Sequence, residues 1–211
     1  LGSPSLLYLA AAGIGNIGVI DDDVVEMTNL QRQIIHSSKN IGYSKVESAK
    51  LRLNELNPDI SVITFNSKLN IDNALSIINK FDVIIDGTDN FSTRYLINDA
   101  CEILNKPWVF GSIHKFEGQV SVFNVEDGVN YRDLFPEAPP MELAPNCAEA
   151  GVLGVLPGII GSIQCAETIK IILEIGEILS KKLLVFNALN MTSRILKFNS
   201  NKTRDPITTL S

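Results

Sequence analysis

The chain has 211 residues, 45% hydrophobic and 20% charged, with a net charge of −6. That size and balance suit one globular α/β domain with a sizeable core and give no reason to expect a second. With an acidic surplus and no Lys/Arg run interleaved with aromatics, nucleic acid is not an expected partner. A membrane is not expected either, because the most apolar tract, Gly151 to Ile175, is interrupted by Pro157, Gly158, Gln164, Glu167 and Lys170. Three cysteines, Cys101, Cys147 and Cys165, cannot all pair and lack metal-type spacing, which fits a reducing compartment. The first residue is Leu1, so the amino terminus reads as cut away, and any targeting signal with it.

The chain opens on Leu1-Gly2-Ser3-Pro4 and a helix from about Ser5, with Pro4 near its start and Gly13 as its stop. If the sheet is parallel, a strand feeds this helix, and Gly2-Ser3 is then the end of a phosphate loop. The apolar run Asn16 to Ile20 reads as a buried parallel strand, so Asp21-Asp22-Asp23 falls at its carboxyl end, where open α/β sheets bind ligands. Asp21 is the candidate for a ribose, because a carboxylate at a strand tip can accept both hydroxyls. Asn29 and Arg32 are three apart; a short helix over Thr28 to Ile34 would put both on one face, in reach of the same phosphates. A solvated acidic loop with a surface arginine is the plain alternative.

Next comes a helix near Lys45 to Leu53, carrying small or apolar residues at 46, 49 and 53. Lys45 lies in its first turn, where the helix dipole favours acids, so a cation there points to an anionic ligand. Ile60 to Phe65 alternates as a strand, Asp72 to Asn79 suits a helix, and Phe81 to Ile85 reads as a third central strand ending in Asp86-Gly87-Thr88-Asp89-Asn90. Parallel strands share one carboxyl edge, so this tip and Asp21 are expected to face one crevice. Acids there beside phosphates suit magnesium through oxygen ligands, while Asp89 or Asn90 also suits the cap of a helix from Phe91 to Leu104.

Trp108 to Ile113 and Gly118 to Phe123 are separated by too few residues for a crossover and should pair antiparallel. Glu126 to Asn146 is polar and holds Pro136, Pro139, Pro140 and Pro145, which predicts a long exposed loop closed by Cys147. An apolar helix from about Pro157 to Ile175 follows, then strands at Leu183 to Phe186 and Arg194 to Phe198. The tail beyond Ser200 is expected to be unstructured. The predicted fold is a doubly wound, Rossmann-like α/β domain over residues 1–200, mostly parallel, with antiparallel strands in the C-terminal half and a short tail at 201–211.

Taken together, Leu1-Gly2-Ser3-Pro4, Asp21-Asp22-Asp23, Asn29-Leu30-Gln31-Arg32-Gln33, Gly42-Tyr43-Ser44-Lys45, Asp86-Gly87-Thr88-Asp89-Asn90 and Cys147-Ala148-Glu149-Ala150-Gly151 resemble the MoeB/ThiF/HesA superfamily. The likeness runs from Leu1 to about Phe198. It implies an ATP-dependent adenylyltransferase acting on the C-terminal glycine of a small ubiquitin-like sulfur carrier that ends in Gly-Gly. By the same resemblance Asp21 holds the ribose, Asn29, Arg32 and Lys45 the phosphates, and Asp89 the magnesium, with Gly2 and Asn90 at the nucleotide. The Cys147 segment and the long helix look most like the molybdopterin branch, with a thiamine-type carrier as the alternative. A homodimer in the cytoplasm or a plastid stroma is expected.

Cys147 matches a cysteine that in some relatives forms a covalent sulfur link with the carrier. A thiol between a loop and a helix start would have a lowered pKa, but adenylation alone needs none. Relatives often hold zinc through two Cys-x-x-Cys pairs; the matching positions here are Asn130, Asp133, Thr208 and Ser211, so no zinc is expected. Two rival readings stay open. A nicotinamide-dependent oxidoreductase also fits Asp21 after a glycine turn but leaves Arg32, Lys45 and Asp89 without a shared task. The non-catalytic half of a heterodimeric activating enzyme would be expected to have lost one of these three.

Overall fold

Apolar runs alternate with helical periods through the first half of the chain, and the computed structural model, which describes residues 1–125, 129–138, 151–201 and 204–210, folds them accordingly. Helix α1 (Gly2–Ala11) leads into β1 (Asn16–Ile20), and α2 (Lys45–Leu56) carries the chain across to β2 (Ser61–Phe65). The two strands are parallel, with Asn16 opposite Ser61 and Ile20 opposite Phe65. Beyond α3 (Ala74–Ile78), the pattern repeats: β3 (Ile84–Ile85), α4 (Phe91–Ile103) and β4 (Trp108–His114), with Ile84 opposite Trp108 in parallel. From there the chain turns back on itself. β5 (Glu117–Phe123), β6 (Lys182–Asn187) and β7 (Thr192–Lys197) add antiparallel strands in the order β3-β4-β5-β6-β7, while β1 and β2 form their own two-stranded sheet. The molecule is thus α/β and Rossmann-like, with parallel pairing in the first half and antiparallel in the second.

Three local expectations need correction. The third strand is two residues long rather than five: only Ile84 and Ile85 pair with β4, and Phe81 lies before the ladder with its ring edge-on to Phe65 of β2, ring centres 6.3 Å apart. The region after Glu126 is not wholly an exposed loop: α5 (Tyr131–Leu134) forms there, capped by Asn130, whose Oδ1 accepts the Arg132 N–H at 2.9 Å. The Tyr131 N–H donates to Asn98 on α4 at 2.9 Å, and the tyrosine ring joins Trp108, Phe110 and Phe123, all at most 1% exposed. One aromatic among polar residues gives no periodic signal, yet burying it contributes about 2 kcal/mol. Finally, the described part of the tail is tied down. Glu102 accepts from Arg204 at 3.2 Å and from the Ile207 N–H at 3.0 Å, and Leu210 packs on the core.

Helix α6 (Leu156–Leu173) is long and apolar enough to cross a membrane by length and composition, but here it is the central helix, packed on α1, β4 and β5. Its buried polar residues explain why. Glu167 accepts the Leu179 N–H at 2.7 Å, and the Gln164 Nε2 donates to Asp86 O at 2.9 Å and Val109 O at 3.1 Å. Gln164 fits only because residue 111 is glycine: a Cβ there would lie 2.5 Å from the Gln164 amide. Gly111→Ala is therefore expected to destabilise the protein by about 2 kcal/mol through overpacking. An unchanged denaturant midpoint would show that the helix can shift away.

Candidate active site

The site is built on the N-terminus of α1 and the three segments around it. Ser3 Oγ accepts the Ile35 N–H at 2.7 Å, which fixes the 31–36 segment against the helix start. On the other side Gly87 approaches so closely that a Cβ on it would lie 3.5 Å from the Gly2 nitrogen. The 31–36 segment and the turn after β3 are in this way brought to the same helix end. Gly154, just before α6, closes a third side: a Cβ there would meet the Gln31 carbonyl at 2.6 Å.

Asp21 follows β1 directly and is half-buried, and its Oδ1 accepts the Asp23 N–H at 2.9 Å. Burial raises its pKa above the ordinary carboxylate value, against the pull of the Asp23 N–H and Lys45. The carboxylates of Asp21, Asp22 and Asp23 lie within 4.8 Å of one another. Lys45, the first residue of α2, answers them: its Nζ is 2.7 Å from Asp23 Oδ2 and 3.9 Å from Asp21 Oδ1. One ammonium among three carboxylates leaves the cluster negative, so a polyphosphate needs further positive charge to settle beside it.

The expected helix over Thr28 to Ile34 is absent. Met27–Asn29 is a single 3-10 turn, and the Arg32 and Gln33 N–H groups both fold back on the Asn29 carbonyl, at 3.1 and 2.9 Å. Asn29 is buried, and its Oδ1 accepts the Glu26 N–H at 3.1 Å. The short polar side chain caps a turn that a helix would have left open. Arg32 is half-buried, with Nη1 donating to Thr28 O at 3.2 Å.

Between this segment and α2 sits His36, whose Nδ1 is 2.8 Å from Ser48 Oγ. Burial and then Lys45 push its pKa down to about 4. The unfolded chain takes up a proton below pH 6.5 that the folded one refuses, so this stabilising term is complete above pH 6.5 and lost as pH falls through 4. The ring is partly exposed, and solvent screening reduces the effect to on the order of 1 kcal/mol. Denaturant midpoints of His36→Asn and wild type are expected to converge between pH 6.5 and 4; parallel curves would contradict this.

At the second tip Asp86 is fully buried and pairs with Arg94 of α4, Nε to Oδ2 at 3.2 Å. Asn90 caps α4, accepting the Thr93 N–H at 2.9 Å. Asp89 beside it is exposed, and its carboxylate takes no hydrogen bond or ion pair among the described residues. Such a free oxygen pair fits magnesium, and Asp22, also exposed, adds oxygen donors at the first tip. Asp23 and Asp86 lie in motifs legible in the sequence, but their pairing with Lys45 and Arg94 was not, and Arg94 itself did not stand out, since it is eight residues from its partner and no local period joins a strand tip to a helix. Cys101 and Cys165 are buried in the core, as expected from their helical setting, and burial raises the pKa of both. Cys147 lies outside the described residues.

The ThiF family model matches residues 1–207. The chain belongs to the ThiF family. A relative from Culex quinquefasciatus, "Adenylyltransferase and sulfurtransferase MOCS3", is 50% identical over 96% of this chain and 46% of its own length. "Probable adenylyltransferase/sulfurtransferase MoeZ" of Mycobacterium tuberculosis is 49% identical over 100% of this chain and 55% of its own. The chain thus spans about half the length of these two ThiF relatives. "SAMP-activating enzyme E1" of Haloferax volcanii is 46% identical over 95% of the chain and 74% of its own length. Among solved structures, E. coli MccB with ATP superposes with a TM-score of 0.79 at 22% identity, over 96% of this chain and 62% of that one, a likeness of fold.

Proposed function

We propose that this chain is an ATP-dependent adenylyltransferase that activates the C-terminal glycine carboxylate of a small ubiquitin-like sulfur carrier as an acyl-adenylate, releasing pyrophosphate. The observation that carries the reading is Lys45, an ammonium held at the tip of β1 by Asp21 and Asp23. In this reading Asp21 takes the ribose, Gly2 and the α1 start lie along the phosphates, and Asn29, Arg32 and Lys45 bind them. Asn90 keeps the 86–90 turn on α4, and Asp89 holds magnesium, which supplies positive charge between the phosphates.

A glycine carboxylate, with a pKa near 3.5, is ionised at neutral pH and attacks the α-phosphorus without a general base. The barrier is electrostatic, because an anion approaches an anion and a second anion leaves. Arg32 and Lys45 place positive charge where the transition state gathers negative charge. Hydride transfer would give these cations no comparable task.

The finer reading favours a molybdopterin-type carrier, supported by a relative from Porphyra purpurea, 50% identical over 91% of this chain and named "Probable molybdopterin-synthase adenylyltransferase". A thiamine-type carrier is the second choice. Cys147 is kept as a sulfur-transfer thiol to be tested, and a homodimer in the cytoplasm or a plastid stroma is the expected setting. No zinc is proposed. Asn130 hydrogen-bonds Glu102, and Asp133 accepts from Asn130 N and Asn201 N at 2.8 Å each, so both side chains are engaged otherwise.

ATP–pyrophosphate exchange with purified carrier tests the reading. Exchange should require the carrier's terminal Gly-Gly and magnesium. Exchange indifferent to that terminus, or none with any Gly-Gly carrier, would refute it.

A further inference from the structure

Beneath the 86–90 turn lies a charge pair that the proposed roles leave unused. Asp86 is 0% exposed and Arg94 is 7% exposed. Both halves of the pair converge on Thr88: Asp86 Oδ1 accepts the Thr88 N–H at 2.8 Å and its Oγ–H at 2.6 Å, and Arg94 Nη2 donates to Thr88 O at 3.2 Å. The guanidinium sits 5.5 Å from the ring centre of Phe91 and 5.3 Å from that of Phe110, which removes alternative positions for it. Gln164 holds the same strand end from below through Asp86 O.

A buried ion pair is a poor way to add stability, since apolar residues of similar volume often do as well. What it fixes here is a conformation. Every polar group of Thr88 that Asp86 and Arg94 engage is one residue from Asp89, while the exposed Gly87 on the other side gives no restraint of its own. The geometry points to Arg94 as a positioning residue that, with Asp86, fixes the Thr88 backbone so that the Asp89 carboxylate meets the magnesium of bound Mg–ATP. This rests on the adenylyltransferase reading.

The test is calorimetric binding of a non-hydrolysable ATP analogue to the whole chain, with and without magnesium, for wild type, Arg94→Met and Arg94→Lys, each checked by thermal unfolding. Metal-free binding depends on Asp21, Arg32 and Lys45 and is expected within about threefold of wild type. The gain in affinity on adding magnesium is expected to fall tenfold or more in Arg94→Met. In Arg94→Lys it should fall less, because an ammonium can pair with Asp86 but cannot fork to Thr88 O. An undiminished magnesium gain in either folded variant overturns the inference, and so does an equal loss of metal-free affinity, which marks a general structural role. If Arg94→Met does not fold, Arg94→Lys decides by the same criterion. Failure of wild type to bind the magnesium-bound analogue would overturn the adenylyltransferase reading itself, and the inference with it.

Discussion

Arg32→Ala is expected to lower ATP–pyrophosphate exchange by two orders of magnitude or more, with the thermal midpoint almost unmoved. Among the described residues the side chain contributes one hydrogen bond to the fold, Nη1 to Thr28 O at 3.2 Å, and such contacts are worth about 0.5–1.5 kcal/mol at most. Its neighbours stay in place without it, since Ile35 is buried and anchored to Ser3 and the Asn29 carbonyl collects two backbone N–H groups. In the reaction it carries more. Losing one preorganised charge at a transition state costs about 3 kcal/mol, which is the expected hundredfold or greater loss. Exchange within a few-fold of wild type in a folded variant would remove Arg32 from the machinery.

Lys45→Ala is expected to be at least as damaging, and in a different way. It strips the ammonium from three carboxylates that lie within 4.8 Å of one another. A polyphosphate then approaches a cluster with no counter-charge, so KM for ATP should rise as kcat falls, with a combined loss of about 10²–10³-fold in kcat/KM. Lys45→Arg should restore only part, because a planar fork cannot sit as a point charge 2.7 Å from Asp23 and still turn to the nucleotide. Steady-state exchange over a range of ATP concentrations separates the two effects. A change in KM alone would make Lys45 a binding contact without a share in the transition state.

The sequence by itself determined the alternation of strands and helices, the antiparallel return at Trp108 to Phe123, and the placement of Asp21 and Lys45 at element ends. These follow from local physics: period 2 and period 3.6 patterns, and a turn too short for a crossover. The crowding of acids after β1 was legible too, because strand tips carry their polar residues in sequence. What the tertiary structure alone decided is how the pieces meet. Arg32 and Asn29 do not share a helix face, because Asn29 caps its own turn and the chain doubles back. Tyr131 enters the core from a polar stretch because Asn98, on another element, receives its backbone. The tail after Ser200 is held by Glu102, a hundred residues earlier in the chain. Asp86 and Arg94 pair across a strand and a helix through a buried space that no window of sequence describes. Contacts of this kind depend on which surfaces face one another after the sheet forms, and only the folded chain brings them within hydrogen-bond range.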